Sequence, residues 1–415
     1  MKTEYEKTSE YIKKSWLSAV KKKDVDNNFL MPYDYIPPCV DGDLINLYYW
    51  DTYFTNLGLY EDGFGNYAYN NIKNLIFCLD KFGCVPNMCR ANGATYASQP
   101  PLLFMMIQDY YRYSGDLEFL AEGYRALQKE YAFWMEKRIS ETGLNRFGSN
   151  FDYAANEPDL TEFSKRIGID LSKLSRAEKT AFAMDRCAEG ESGHDYTPRF
   201  CGRAYESNPV DLNSYLYGFE RAMTEFAKIL GKGGAECERW AQRAETRKKL
   251  MDEFLLDSES CVYFDYEFEK KQRNKIFNGA NYLPYIFGIT ENKAALKSIN
   301  DRLVRKYGVL CCEELQSDGL TYQWGYPNSW APYNYFAYEA NKRCGNEAEA
   351  KQIAEAWLND ISETFMKTGK LYEKYDAMVG GAATVNEYGV PEMLGWTAGT
   401  FEKMLCELKK QETAE

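Results

Sequence analysis

Two carboxylates stand in segments whose composition suits proton-transfer chemistry. Asp195 lies in EGESGHDYTPRF, between a Ser-Gly pair and a proline, where the backbone turns tightly and presents a side chain to a cavity. Glu373 lies in YEKYD, flanked by Tyr372 and Tyr375, whose rings would remove water from its carboxylate. Hydrolysis of a glycosidic bond needs one carboxylic acid that protonates the leaving oxygen and a second carboxylate that activates water or attacks the anomeric carbon. From the residues alone, Asp195 is also compatible with a turn or a helix cap, and Glu373 with a solvated helix surface.

The chain of 415 residues contains a single histidine, His194, and this excludes several reaction classes. A histidine-based zinc site needs at least two imidazoles in most patterns, and no pair of CxxC motifs replaces them. A serine or cysteine nucleophile normally needs a histidine base, which leaves only His194 for that role. We therefore expect no metal and no cofactor, with carboxylates as the proton-transfer groups and His194 as a satisfied neighbour of Asp195.

Charge and apolar patterning limit the partners. The net charge of −12 argues against the clustered cations that binding to a phosphate backbone requires, so nucleic acid is not expected. No run of about twenty apolar residues predicts a membrane span, and the segment MKTEYEKTSEYIKKSW lacks the apolar core of a signal peptide. The 12 cysteines are scattered along a long chain, which disfavours a disulfide framework. These features predict a reducing, cytoplasmic compartment and no membrane partner, and they leave the oligomeric state open.

Aromatic residues make up 16% of the chain, and many of them gather with polar residues in five segments. Sugars present flat C–H faces edged with hydroxyl groups, and a pocket that binds them uses aromatic platforms with amide and carboxylate partners. Trp50 and Asp51 form one such pair, although a tryptophan at a helix start is often core packing, and Gln99 is also compatible with a helix cap. The five segments are YYWDTYF (48–54), CVPNMCRANGATYASQPP (84–101), EGESGHDYTPRF (189–200), YQWGYPNSWAP (322–332) and YEKYDAMVGGAATVNEYGVPEMLGWTAG (372–399).

The elements that must position these segments are predicted to be helices. Apolar residues recur at spacings of three and four, whereas strand-like alternation is confined to short pieces such as 261–268, so the fold class is all-α with minor β-hairpins in loops. Helix, polar loop and helix units of this spacing suit a toroid of helical hairpins whose loops collect at one end and carry the site. The predicted helices are 5–20, 67–79, 101–113, 117–135, 212–229, 237–254, 294–304, 347–365 and 397–408.

Residues 144–199 form the least regular stretch, with one predicted helix near 173–186. A stretch of this length inside a compact domain is usually functional or disordered, and we expect it to cover the active site. No linker or shift in composition divides the chain, so residues 1–415 are predicted to form one catalytic domain.

Taken in order, the five segments resemble the trehalase family of glycoside hydrolases, family 37, and its relatives in family 63. The resemblance is collinear from about residue 33 to 407, and its most specific parts are QWGYPNSWAP and EKYD followed by NEYGVPEMLGWTAG. It implies an (α/α)6 toroid and hydrolysis with inversion of configuration. The family motif ESGWD matches ESGHD here and implies that Asp195 is the general acid, while the family EKYD implies that Glu373 is the general base.

The resemblance also implies residues that bind the substrate. The glutamate of the family's GEY segment, which helps to order the site near the nucleophilic water, matches Glu387. Further sugar-binding positions match Trp50, Asp51, Asn87, Gln99, Gln323, Trp324 and Trp330.

Departures from the family pattern concern the leaving sugar. The family's PGGRF segment, the arginine before SQPP and the RPRPE-like segment are absent. Ala97 stands directly before SQPP, at the position of the missing arginine. Gly325 replaces the aspartate of the family's QWD, and His194 replaces the tryptophan of ESGWD. The catalytic pair therefore matches, while the residues that would specify trehalose do not.

The sequence thus predicts an inverting α-glycosidase of a small α-glucoside, with a small carbohydrate as its ligand. A hydrolase of another small α-glycoside, such as a glucosyl or mannosyl glycerate, is the alternative within this class. A non-catalytic sugar-binding relative is the alternative from another class, and an all-helical terpene cyclase is disfavoured because no DDxxD segment occurs.

Overall fold

Helices form most of the protein and follow one another in pairs. The computed structural model describes residues 2–23, 31–40, 44–90, 93–161, 164–165, 168–316, 319–320, 322–384 and 390–414. The helices are α1 (Thr3–Ala19), α2 (Tyr49–Glu61), α3 (Gly65–Phe82), α4 (Leu103–Ser114), α5 (Leu117–Lys137), α6 (Arg176–Glu191), α7 (Val210–Ile229), α8 (Gly234–Phe254), α9 (Leu283–Ile286), α10 (Lys293–Leu303), α11 (Ala331–Arg343), α12 (Glu347–Thr368) and α13 (Gly395–Ala414), with 3-10 turns at Leu171–Lys173 and Gly279–Tyr282.

Six of these helices form a closed inner ring. In cyclic order, α2 contacts α4, α4 contacts α7, α7 contacts α9, α9 contacts α11, α11 contacts α13, and α13 returns to α2. An outer layer covers the ring: α3, α5, α8 and α12 each pack on the inner helix that precedes them, α10 packs on the turn before α9, and α1 packs on α13. This arrangement is an (α/α)6 toroid and confirms the predicted fold.

Burial explains which helices the sequence pattern predicted. The outer helices and α4, α7 and α13 were predicted from their apolar period, but α2, α9 and α11 were not. Every residue from Tyr49 to Leu59 of α2 is buried, as is every residue of α11 from Ala331 to Tyr338. A helix that is buried on all sides has no solvated face and therefore no amphipathic period.

Ring closure depends on a close approach between α2 and α13. Gly58 and Gly399 face each other, and a Cβ added to Gly399 would lie 1.9 Å from the carbonyl oxygen of Phe54. Only glycine permits this backbone contact, because any other residue would overlap a main-chain atom that cannot move aside.

Short antiparallel strands lie in the loops between helices. The predicted strand-like stretch 261–268 contains one of them, paired with a second strand across a turn. The strands are β1 (Leu47–Tyr48), β2 (Met88–Arg90), β3 (Gly93–Ala94), β4 (Ser207–Asn208), β5 (Asp265–Glu267), β6 (Gln272–Asn274), β7 (Val304–Arg305), β8 (Gly308–Val309), β9 (Asn328–Trp330) and β10 (Lys374–Asp376), in sheets β1-β2-β3, β4-β5-β6, β7-β8 and β9-β10.

The stretch between α5 and α7 contains one long helix, α6, where the sequence predicted a helix near 173–186. The side chain of Ser175 accepts a hydrogen bond from the backbone of Glu178, and the Glu178 side chain reciprocates, so a capping box starts this helix. At its other end, α6 leads directly into the ESGHD segment. No helix of the described residues is long and apolar enough to cross a membrane.

Candidate active site

Asp51, in the first turn of α2, lies where the two predicted catalytic carboxylates converge. Its side chain is buried, with an exposed fraction of 7%. Burial raises the pKa of the Asp51 carboxyl to about 8, and the negative charges of Glu373 and Asp195 add to this rise. Because one charge shifts the protonation of another mainly at close range, the three carboxyls share one region of the molecule.

The start of α2 is held by the loop between α3 and α4. The side-chain oxygen of Gln99 accepts a hydrogen bond from the backbone N–H of Trp50 at 3.1 Å, and the carbonyl of Asn87 accepts one from Tyr49 at 3.0 Å. The amide of Asn87 donates to the carbonyl of Gly190 at 3.4 Å, near the end of α6. Gln99 therefore is a cap, but it caps α2 rather than the helix that follows it, and it fixes Trp50 and Asp51 at the site.

Glu191, the first residue of ESGHD, anchors the end of α6. Its carboxylate is fully buried and accepts two hydrogen bonds from Arg138, at 2.6 and 2.8 Å. The backbone N–H groups of Ser98 and Gly148 donate to the same carboxylate at 2.9 and 2.7 Å. A buried charge with a bidentate partner and two further donors has a defined position, so this anchor orients the segment that follows.

The turn after Glu191 carries Asp195 to the site. Gly193 has φ +80°, and a Cβ there would lie 2.8 Å from the ring of Trp50, so the turn lies directly against this tryptophan. Asp195 is exposed, whereas Asp51 and Glu373 are buried. Asp195 thus occupies the solvent side of the region, and the other two carboxyls occupy its interior.

Strands β9 and β10 position Glu373 and two of the predicted sugar contacts, Trp330 and Gln323. Lys374 pairs with Trp330 in the strand register, and its amino group lies 4.8 Å from the Trp330 ring centroid. That amino group donates to Glu373 Oε2 at 2.8 Å and to Gln323 Oε1 at 2.9 Å. Both Lys374 and Glu373 are buried, so the interpretation of Glu373 as a residue of a solvated helix surface is wrong.

Four tryptophans pack together beside Asp51 and Glu373. Trp324 stacks on Trp330 with ring centroids 3.9 Å apart, and Trp50 lies 5.6 Å from Trp324. Trp396, in the first turn of α13, contacts the other three rings, and its Nε1 donates to the backbone carbonyl of Glu373 at 3.0 Å. The cluster gives the site apolar walls of the kind that hold the C–H face of a sugar.

His194 lies between this cluster and the inner ring. Its Nδ1 lies 3.0 Å from the hydroxyl of Ser192, and its Nε2 is hydrogen-bonded to the hydroxyl of Tyr333 on α11. Burial lowers its pKa to about 3, so the imidazole is neutral near pH 7. His194 is satisfied, as predicted, and Ser192 and Tyr333 are its hydrogen-bond partners. In the described part of the chain, no three His, Cys, Asp or Glu side chains are arranged to hold a metal ion.

Arg199 fixes the C-terminal end of the segment EGESGHDYTPRF (189–200). It donates to both oxygens of Asp211 on α7 and to both oxygens of Asp265 on β5, at 2.7 to 2.9 Å, and all three side chains are buried. The segment is therefore attached at both ends, through Glu191 and through Arg199. Glu387, the remaining predicted site residue, lies outside the described residues.

Residues 1–409 match the sequence model of the family described as Trehalase. The chain belongs to the Trehalase family. It is accordingly a glycoside hydrolase.

Solved structures with the same fold include enzymes of the trehalase and family 63 groups. Neutral trehalase from Saccharomyces cerevisiae is 23% identical, with a TM-score of 0.76 over 96% of this chain and 79% of that chain. The family 63 mannosylglycerate hydrolase from Thermus thermophilus in complex with glucose is 16% identical, with a TM-score of 0.67 over 96% of this chain and 99% of that chain. The same enzyme in complex with Tris and D-glycerate is 15% identical, with a TM-score of 0.65 over 96% and 100% of the two chains.

In this trehalase-family chain, four residues near the carboxyls were not predicted individually as site residues: Lys374, Trp396, Tyr333 and Glu189. Lys374, Trp396 and Glu189 lie inside segments that the sequence singled out, and that membership was the available signal. Tyr333 lies in a helix without an amphipathic pattern. Glu189 contacts the site through a turn whose shape the sequence does not reveal.

Proposed function

We propose that this protein is an inverting α-glycosidase that hydrolyses a small α-glucoside, with Asp195 as general acid and Glu373 as general base. The observation that carries the proposal is the convergence of both carboxylates on Asp51 inside a wall of four tryptophans. Paired carboxyls beside aromatic platforms match the requirements of glycoside hydrolysis.

The burial of the residues supports their separate roles. Asp195 is exposed on a turn and can meet the leaving group, which must depart toward solvent. Glu373 is buried, and Lys374 and Trp396 hold its side chain and its backbone. In a single displacement Asp195 protonates the glycosidic oxygen while Glu373 removes a proton from water on the opposite face of the sugar, which requires carboxyls about 6.5 to 9.5 Å apart.

The proposed sugar contacts are Trp50, Asp51, Asn87, Gln99, Gln323, Trp324, Trp330 and Glu387, as the family resemblance implies. Trp50, Trp324 and Trp330 would supply the apolar wall for the sugar, with Trp330 packed behind Trp324 rather than stacked on the sugar ring itself. Asp51 would bind hydroxyl groups, and its protonated form at neutral pH would donate as well as accept. The mannosylglycerate hydrolase of the same fold was solved in complex with glucose, which supports a hexose as the ligand of this fold.

The leaving group distinguishes trehalose from other substrates. Ala97 stands where the resemblance expects an arginine, and the other arginine-bearing segments of the family are absent. A glucosyl or mannosyl glycerate is therefore the second candidate, because a relative of the same fold is a mannosylglycerate hydrolase and also holds D-glycerate.

The proposal includes the surroundings of the site. Residues 1–415 would act as one catalytic domain, and 144–199 would cover the site. In support of this cover, Phe151 lies edge-on against Tyr96, with ring centroids 4.8 Å apart, and Asn150 donates to the Tyr96 carbonyl at 2.6 Å. The twelve free thiols fit a reducing, cytoplasmic compartment.

Proton NMR on a panel of α-linked substrates tests the reaction. The panel holds α,α-trehalose, maltose, α-glucosylglycerate and α-mannosylglycerate, and we expect the sugar that is attacked at its anomeric carbon to appear first as the β-anomer, so that trehalose gives equal amounts of α- and β-glucose. Asp195→Asn and Glu373→Gln should each lower kcat by about 10²- to 10⁴-fold. Asp170→Asn, which changes an exposed residue of the stretch 144–199 that also contains Asp195, is the matched control and should keep wild-type activity. Release of α-glucose alone from trehalose, or of the α-sugar from a glycerate glycoside, would refute a single displacement, and sugar binding without turnover by wild type would refute catalysis.

A further inference from the structure

The turn that carries Asp195 has a backbone that must be held in place. Tyr196, directly after Asp195, has φ +56°, and Gly193 two residues before Asp195 has φ +80°. For a residue other than glycine, the left-handed region is sterically unfavourable. The conformation at Tyr196 therefore persists only because its surroundings determine it.

Two hydrogen bonds hold the backbone of Tyr196. Its N–H donates to Oε1 of Glu189 at 2.7 Å, and its carbonyl accepts from the N–H of Trp324 at 3.1 Å. Trp324 belongs to the tryptophan wall of the site. The turn is thus attached to the site wall on one side and to a single carboxylate on the other.

Glu189 is itself held in a defined position. Its side chain is buried, with an exposed fraction of 3%, and Arg186 donates to Oε1 at 3.0 Å. Arg186 also donates to Asp185 at 2.7 Å, and Asp185 accepts from the backbone of Tyr205 at 3.2 Å. The acceptor for Tyr196 is therefore part of a network that connects α6 to the chain after the turn.

The carboxyl of Asp195 lies over the same last turn of α6. A Cβ added to Gly190 would lie 3.3 Å from Asp195 Oδ1. Burial raises the pKa of Glu189 to about 8; Arg186 opposes the rise, and the charges of Asp185 and Asp195 add to it. Glu189 is consequently close to Asp195 through space as well as through the turn.

We propose that Glu189 is a positioning residue for Asp195: by accepting the N–H of Tyr196, it holds the left-handed turn that directs the acid toward the glycosidic oxygen. This inference rests on the proposed role of Asp195 as general acid. A lost acceptor would let the turn relax, so that Asp195 would no longer lie within reach of the leaving group.

Leaving-group dependence tests this proposal, because fluoride departs without a proton and a sugar alkoxide does not. The two probes are α-D-glucosyl fluoride and α,α-trehalose, with α-glucosylglycerate in place of trehalose if the NMR panel favours it.

Glu189→Met fills the same volume without an acceptor, and Glu189→Gln retains an acceptor oxygen. We expect Glu189→Met to lower kcat on the glycoside about 10- to 100-fold, with little change in KM, and on the fluoride less than about three-fold. Glu189→Gln should stay within about three-fold of wild type on both.

Asp195→Asn is the reference, and Glu220→Met, which removes another buried carboxylate paired with an arginine, is the control for general destabilisation. If Asp195→Asn slows both probes equally, the assignment of the acid fails. If Asp195→Asn is selective while Glu189→Met keeps both rates or loses both equally, the assignment stands and the role of Glu189 fails. Should Glu189→Met not fold, Glu189→Asp, which withdraws the acceptor by one methylene, must show the same selective loss. A Glu189→Gln enzyme as impaired as Glu189→Met would also overturn the hydrogen-bond argument.

Discussion

At the scale of single residues, Lys374 is the cation that contacts the proposed base most directly. Its amino group is fully buried between Glu373, Gln323 and the ring of Trp330. Burial lowers the pKa of Lys374, and the neighbouring Glu373 opposes this by raising it. A buried ammonium beside a carboxylate fixes the orientation of that carboxylate, because both groups depend on each other for solvation.

Replacing Lys374 by methionine should therefore slow proton transfer to Glu373 while the volume of the side chain stays filled. Lys374→Met keeps the length of the side chain but removes the donor to Glu373 Oε2. We expect kcat to fall about 10- to 100-fold, with a smaller change in KM, in steady-state kinetics with the best substrate of the panel. Lys370→Met is the matched control, since Lys370 pairs with Glu392 at the surface and should be dispensable. A Lys374→Met enzyme with more than half of the wild-type kcat would contradict the argument.

The site residues that the sequence predicted differ from the others in one respect: the local sequence around them indicates their role. The motifs of the predicted residues contain residue types that indicate proton transfer or sugar binding, as for Asp195, Glu373, Trp50 and Gln323. Lys374 stands in the same motif as Glu373, but its residue type does not indicate its role, because a Glu-Lys dipeptide is common at solvated surfaces and only the tertiary fold buries both side chains.

At the scale of elements, the same physical reason separates the predicted helices from the unpredicted ones. An outer helix has one face toward the ring and one toward water, which produces the apolar period that predicts it. Helix α11 is buried from Ala331 to Tyr338, so it has no period, and the sequence marks only its start as a polar and aromatic segment. The inner helices α2 and α11, which carry or support the site, are for this reason hard to predict locally, although the number and spacing of the outer helices imply them.

The contact between α2 and α13 gives a prediction at this scale. Gly399→Ala would place a Cβ on the backbone of Phe54, so the ring must open or shift, and we expect a loss of more than about 3 kcal/mol in the free energy of unfolding. Gly234 is the matched control, because it begins α8 and no heavy atom of the described residues lies near its added Cβ. Gly234→Ala should be neutral or stabilise by up to about 1 kcal/mol. Urea unfolding of both variants measures the difference, and equal midpoints would contradict tight ring closure.

At the scale of the whole molecule, several buried carboxyls bind protons at neutral pH in the folded state. Burial raises the pKa of Asp51 and Glu189 to about 8, and that of Glu130, Asp360 and Glu402 to about 7. These groups belong to different helices and loops, so the effect is a property of the fold rather than of the site alone. In the unfolded chain the same carboxyls titrate near pH 4.

The sign of the pH dependence follows from this difference. Between about pH 4 and pH 8 the folded protein holds more of these protons than the unfolded chain, so the free energy of unfolding falls as the pH rises and levels off above about pH 8. Each group contributes at most about 1.4 kcal/mol per pH unit. The imidazole of His194 adds little above its ordinary pKa of 6.5, because it is neutral in the folded state and mostly neutral in the unfolded chain. We therefore expect the melting temperature to decrease from pH 6.5 to about pH 8 and to change less between pH 8 and pH 8.5.

Glu402 on α13 allows this prediction to be tested away from the proposed catalytic groups. It is 5% exposed and accepts a hydrogen bond from Ser9 on α1 at 2.9 Å, while its other oxygen has no hydrogen-bond partner among the described residues. Glu402→Gln imitates the protonated carboxyl at every pH, so it should raise the melting temperature more at pH 8.5 than at pH 6.5 and flatten the decline, with activity unchanged. Differential scanning fluorimetry across this range measures both curves. A melting temperature that rises from pH 6.5 to pH 8.5, or a Glu402→Gln curve parallel to that of wild type, would mean that the interior carboxyls are ionised and held by partners in the folded state.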